Sequence, residues 1–134
     1  MQERPHVAGS AEQVLTLAAE PSSTAVARDF LKGLLSESRH VRLEDSALLC
    51  VTELVANVAR HTASSACLVR VVDEPEDLLI EVIDESPELP VMNPTPADSE
   101  GGRGLRIIDA LAGQWGVRSN PGDGKAVWIR LCDD

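Results

Sequence analysis

The 134 residues suffice for one domain with a proper core and leave no room for a second catalytic domain. A formal net charge of −10, with twelve Lys and Arg that form no run, argues against a nucleic-acid surface, so the macromolecular partner expected is protein rather than DNA. No apolar stretch reaches the length of a membrane helix and the first residues lack the apolar core of a signal peptide, which leads us to expect a cytoplasmic protein with no membrane contact.

Cys50, Cys67 and Cys132 are odd in number and far apart, a spacing that suits neither a disulfide framework nor a zinc site. We read them as reduced thiols. His6, His40 and His61 are equally scattered, and no Ser/His/Asp motif context supports hydrolytic triad chemistry.

In chain order, Met1 to Ser10 mixes Pro5, Gly9 and charges without periodicity and reads as a flexible N-terminus, ahead of a single domain over residues 11–134. Glu12 to Ala19 alternates, with Val14 and Thr16 on one face and Leu15 and Leu17 on the other, which predicts a strand. Pro21-Ser22-Ser23 looks like a helix start, with either serine available as N-cap, and the helix should run to about Glu37. Its apolar stripe is Val26, Phe30 and Leu34, widened by Ala27, Leu31 and Leu35.

A polar connection then leads into the longest periodic stretch, about Leu43 to His61, without Gly or Pro. Glu44 and Asp45 suit the positive end of its dipole. Leu48, Val51, Val55 and Val58 fall on one side, while Glu53, Asn57 and Arg60 fall within about 40° of one another on the other. Taken alone, such an i,i+4 polar pair more often means a solvated face than a site.

Ala66 to Val72, rich in β-branched residues, and Leu78 to Ile83 flank a turn containing Pro75 and predict a hairpin. Leu78, Ile80 and Val82 share a face by the two-residue period, and Asp84 continues it. A carboxylate in register with the buried side needs a partner, or costs on the order of several kcal/mol. If the strand ends at Ile83, Asp84 is merely a turn former.

Glu85 to Glu100 contains Pro87, Pro90, Pro94 and Pro96 and must be a loop, of a length that usually serves as a lid or binding loop. It delivers Gly101-Gly102-Arg103-Gly104 into Leu105 to Ala112, which has helical spacing and stops at Gly113. Glycines at a helix start let backbone N–H groups approach an anion such as phosphate, although a flexible hinge is the plainer meaning of a lone Gly-x-Gly. Gln114 to Arg118 and Lys125 to Leu131, around a turn at 120–124, predict a closing hairpin with Val127, Ile129 and Leu131 opposed to Trp128 and Arg130. Gly122-Asp123-Gly124-Lys125 lacks the spacing, the Ser/Thr and the following helix of a phosphate loop.

Three features therefore follow in order: Glu53-x-x-x-Asn57 on a helix, Asp84 after a hairpin strand, and Gly102-x-Gly104-Leu105 opening a helix. That order, with the closing hairpin, resembles the histidine-kinase-like ATPase fold of the GHKL superfamily. Glu53 to His61, Gly101 to Ala112, the Asp84-x-Ser86-Pro87-x-Leu89-Pro90 loop and Trp115-Gly116-Val117 look most like the small anti-sigma-factor serine/threonine kinases, especially compact actinobacterial ATP-binding regulators. The resemblance covers roughly Ser22 to Leu131. It implies an α/β fold of the α+β two-layer kind, a mixed, mostly antiparallel sheet covered on one face by three main helices.

It also implies ATP and Mg²⁺ as cofactors. Asn57 would help hold Mg²⁺ between the phosphates, Glu53 would be the general base for a partner's Ser or Thr hydroxyl, and Asp84 would accept from the adenine amino group. Gly102, Gly104 and Leu105 would belong to the triphosphate side, with Arg103 a further phosphate contact. His61 matches a position often His in these kinases, and equally suits a helix end. The implied partners are a sigma factor and an anti-sigma-factor antagonist, with a homodimer as a further candidate. One departure is Ser86 and Glu88, where the superfamily's loop typically carries glycines that permit close backbone approach. The alternative is therefore a weak or inactive regulator of the same fold that acts by protein binding only.

Overall fold

The structure, a computed structural model, describes residues 11–61, 65–85, 107–120 and 124–132. Its elements are β1 (Ala11–Ala18), α1 (Ser23–Leu35), a 3₁₀ turn (Val41–Leu43), α2 (Glu44–His61), β2 (Ala66–Asp73), β3 (Asp77–Asp84), a third helix at 107–111 named α3, β4 (Gln114–Asn120) and β5 (Gly124–Cys132). The strands form one five-stranded sheet in the order β1-β2-β3-β5-β4. The expectation of a mixed sheet is corrected in one detail: all four described pairings are antiparallel. The β2–β3 and β4–β5 hairpins supply two of them, and β5 lies between β3 and β4.

The two-residue period decides which side chains meet the helices. Leu17, Cys67, Val69, Val71, Leu78, Ile80, Val82, Val127, Ile129 and Leu131 all enter the same core, opposite Ala27, Leu31 and Leu35 of α1 and Val51, Leu54, Val55 and Val58 of α2. Ile108 of α3 is fully buried in that core, which puts this helix on the same face. α2 packs on β3, as a two-layer arrangement requires.

Two local expectations give way. α1 is buried along Ala27, Leu31 and Leu35, while Val26 is 50% exposed and Phe30 and Leu34 are half-buried. The two stripes lie about 100° apart on the helix, so the periodicity admits either, and packing against α2 and β1 selects the one containing the small Ala27. The serine cap also fails to form. Ser22 stands at the N-cap in helical geometry and its hydroxyl bonds Glu20 Oε1 at 3.2 Å, whereas a capping side chain needs extended backbone to reach the N–H groups of the first turn.

The opposite face of the sheet carries charge. Arg70 of β2 bonds Glu12 of β1 and Glu81 of β3, and Arg118 of β4 reaches across β5 to the other Glu81 oxygen at 2.7 Å. Burial by itself would raise the Glu81 carboxyl, but the Arg118 and Arg70 guanidiniums overcome this and hold it below its usual range. At the turn end of the sheet, Arg130 bonds Glu74 and Asp77. There the buried His40 ring places Nε2 2.5 Å from the Glu74 carbonyl and 3.5 Å from Asp73 Oδ1. Ser38 donates to Asp73 Oδ2 at 2.7 Å, bonding the carboxylate and not the imidazole, so these three residues do not have the order of a hydrolytic triad.

Candidate functional site

Asp84 belongs to β3, which rules out the turn-former reading, and its backbone lies directly opposite Cys67 of β2 and Lys125 of β5. The residue is 3% exposed, as its register with Leu78, Ile80 and Val82 predicts. Lys125, itself 4% exposed, supplies the partner that a buried carboxylate requires: Nζ lies 3.0 Å from Oδ1 and from Oδ2. On the other side the Cys67 thiol is pushed up to about 11, first by burial and then by the Asp84 charge, so it stays protonated at neutral pH.

Gly124 holds this corner together. Its φ is +86°, the left-handed region that favours glycine, and an added Cβ would stand 2.0 Å from the Asp84 carbonyl oxygen and 2.7 Å from Glu85 Cα. A residue with a side chain could not bring β5 this close to the end of β3.

The connectivity brings α2 to the same pole. After His61 only four residues intervene before Ala66 opens β2, and Cys67 is already opposite Asp84. A link of that length spans at most about 17 Å, which keeps the last turns of α2 near the Asp84 end of the sheet. Glu53 and Asn57 are half-buried on α2, and exposed Arg60 donates to Asn57 Oδ1 at 3.2 Å. Glu53 also acts inward, since the Cys50 thiol is pushed up to about 11 by burial and then by the Glu53 charge. The polar face is thus partly sheltered rather than fully solvated. Of the residues predicted for the site, Glu53, Asn57 and Asp84 are described; Gly102, Arg103, Gly104 and Leu105, with Ser86 and Glu88, lie outside the described residues.

Lys125 is the residue that sequence reasoning passed over. A signal existed: it shares strand parity with Val127, Ile129 and Leu131, so its side chain starts on the core side, where a lone ammonium is untenable. Among the described residues no group of three or more His, Cys, Asp or Glu could hold a metal ion, and no helix is long and apolar enough to cross a membrane.

The family described as the histidine kinase-like ATPase domain matches residues 17–131. Among solved structures, the chain is similar to the histidine kinase domain from the Erythrobacter litoralis EL346 blue-light activated histidine kinase, with a TM-score of 0.53 and 14% identity. That similarity covers 87% of this chain and 61% of the other, so the chain spans less than two thirds of the length of its structural relative, and the likeness is one of fold. No curated protein matches the sequence.

Proposed function

Because the chain belongs to the histidine kinase-like ATPase domain family, we propose that it binds ATP with Mg²⁺ and acts as a protein serine/threonine kinase of the anti-sigma-factor kind. In this role it binds a sigma factor and phosphorylates an anti-sigma-factor antagonist. The observation that carries the nucleotide half is Asp84, an acceptor-only carboxylate buried at the end of β3, in the position that the resemblance assigns to the adenine amino group.

The residues at this pole suit such a ligand in chemistry. Asp84 would accept from the base, and Asn57 would offer one carboxamide oxygen to the cation. By the same resemblance, Gly102, Gly104 and Leu105 would take the triphosphate side and Arg103 a phosphate oxygen. Glu53 receives the proton of a Ser or Thr hydroxyl whose oxygen attacks the γ-phosphorus, and ADP departs.

A binding-only regulator is the second reading. It is favoured by the Arg60 contact that occupies Asn57 Oδ1, and by Ser86 and Glu88 at glycine positions. Incubation of the purified protein with labelled ATP and a panel of candidate antagonists separates the two. Label on a Ser or Thr of an antagonist is the result expected; nucleotide and protein binding without transfer would leave only the second reading.

A further inference from the structure

The buried Asp84–Lys125 pair presents a donor beside an acceptor, which is more than recognition of an amino group needs. Resting on the nucleotide reading above, we propose that Lys125 and Asp84 together read the purine edge, and that the ammonium lets the site take 6-oxopurine nucleotides, inosine or guanosine, alongside adenosine nucleotides.

The pair is built rather than incidental. The two residues are direct cross-strand neighbours, with side chains 4% and 1% exposed for Lys125 and Asp84. Gly124, locked against the Asp84 carbonyl, fixes where the Lys125 stem begins. Cys67, the other cross-strand neighbour, adds no charge while it remains a thiol, so the two opposite charges balance each other. An ammonium has three donors, of which two at most are used on the two Asp84 oxygens at 3.0 Å.

The complementarity follows from the donor and acceptor inventory. Adenine offers an amino donor beside the N1 acceptor; hypoxanthine offers the N1–H donor beside the O6 acceptor, and guanine adds a second donor at N2. A carboxylate alone would face O6 with another acceptor and leave both unpaired, at the cost that attends buried unsatisfied groups. Lys125 supplies the donor for O6 while Asp84 accepts from N1–H. Adenine needs only the carboxylate, its amino group donating to Asp84, so the ammonium matters for the 6-oxo group alone.

Calorimetric titration of the full chain with the Mg²⁺ complexes of ATP, ITP and GTP tests this without any substitution. ITP should bind within about tenfold of ATP, since a hydrogen bond to a charged group commonly decides about that factor or more; ITP weaker than ATP by a larger factor overturns the proposal. Lys125→Met should then cost ITP at least about tenfold more than it costs ATP, with a thermal melt showing that the variant is folded. Equal losses for both nucleotides would make Lys125 a structural partner of Asp84 and overturn its base-reading role. Should the variant fail to fold, the wild-type comparison stands by itself. An ATP titration that is itself blank would remove the nucleotide reading and this inference together, an outcome distinct from ATP binding without ITP.

Discussion

β3 carries two carboxylates that are almost inaccessible, Glu81 at 1% exposure and Asp84 at 3%, and they lie on opposite faces of the same strand. Glu81 sits mid-strand between two guanidiniums, one of which is shared with Glu12, so its oxygens are tied into a chain of ion pairs across the sheet. Asp84 sits at the strand end, paired with the compact ammonium of Lys125. Guanidiniums on both oxygens tie Glu81 to its strand neighbours, whereas Asp84 faces a point charge at the strand end. Similar burial thus serves architecture in one case and, on the function proposed above, recognition in the other.

The largest effect is expected on chemistry at the Asp84 pole: Glu53→Gln should lower phosphoryl transfer by about 10²–10⁴-fold while ATP binds nearly as before. Transfer at the wild-type rate would remove Glu53 as the base. Asn57→Ala, by contrast, should reduce Mg²⁺-nucleotide binding and transfer together.

Next comes stability on the opposite face. Glu81→Ala should cost about 3 kcal/mol in denaturant unfolding, the low end for breaking a buried pair, because Arg118 is 54% exposed and solvent screens its share. Nucleotide affinity of the folded fraction should be unchanged. The pH dependence has a definite sign. Since the Glu81 carboxyl is held below its unfolded value, its contribution is complete above about pH 4.3 and is lost as the pH falls through the lower folded value. The acid unfolding of Glu81→Ala should therefore be shallower than that of the wild type, and parallel curves would deny Glu81 this role.

Asp84→Asn should weaken ATP binding by about tenfold or more, because the carboxamide can turn a donor toward the adenine amino group and leaves Lys125 without its counter-charge. Unchanged affinity would place the base elsewhere. In the wild type, ATP at about 100 times its Kd should stabilise the fold by about 2.7 kcal/mol. The smallest effect belongs to Ser22→Ala. A serine N-cap is commonly worth about 1 kcal/mol, but this hydroxyl reaches Glu20 and no helix N–H, so a loss within about 0.5 kcal/mol is expected in thermal melts.

What was legible in the residues was the placement of the elements with a short period. α2 runs Glu44–His61 against an expected Leu43 to His61, both hairpins stand where they were expected, and the core side of β3 follows from alternation. Alternation put Asp84 inside and in need of a partner only if the strand continued past Ile83, and β3 running to Asp84 settles that. The order Glu53, Asn57, Asp84 then Gly102 and Gly104 was visible only as a joint pattern across the chain.

Which partners those residues meet was decided by the tertiary structure alone. Strand order β1-β2-β3-β5-β4 sets Lys125 opposite Asp84 and carries Arg118 across β5 to Glu81, and neither contact is encoded in a local period. The same holds for α1, where two stripes satisfy the helical period and packing buries Ala27, Leu31 and Leu35 while leaving Val26 half exposed. Local propensity and periodicity act over a few residues and so fix elements and faces. The choice among faces, and the pairing of charges dozens of positions apart, is made when those faces compete for one core.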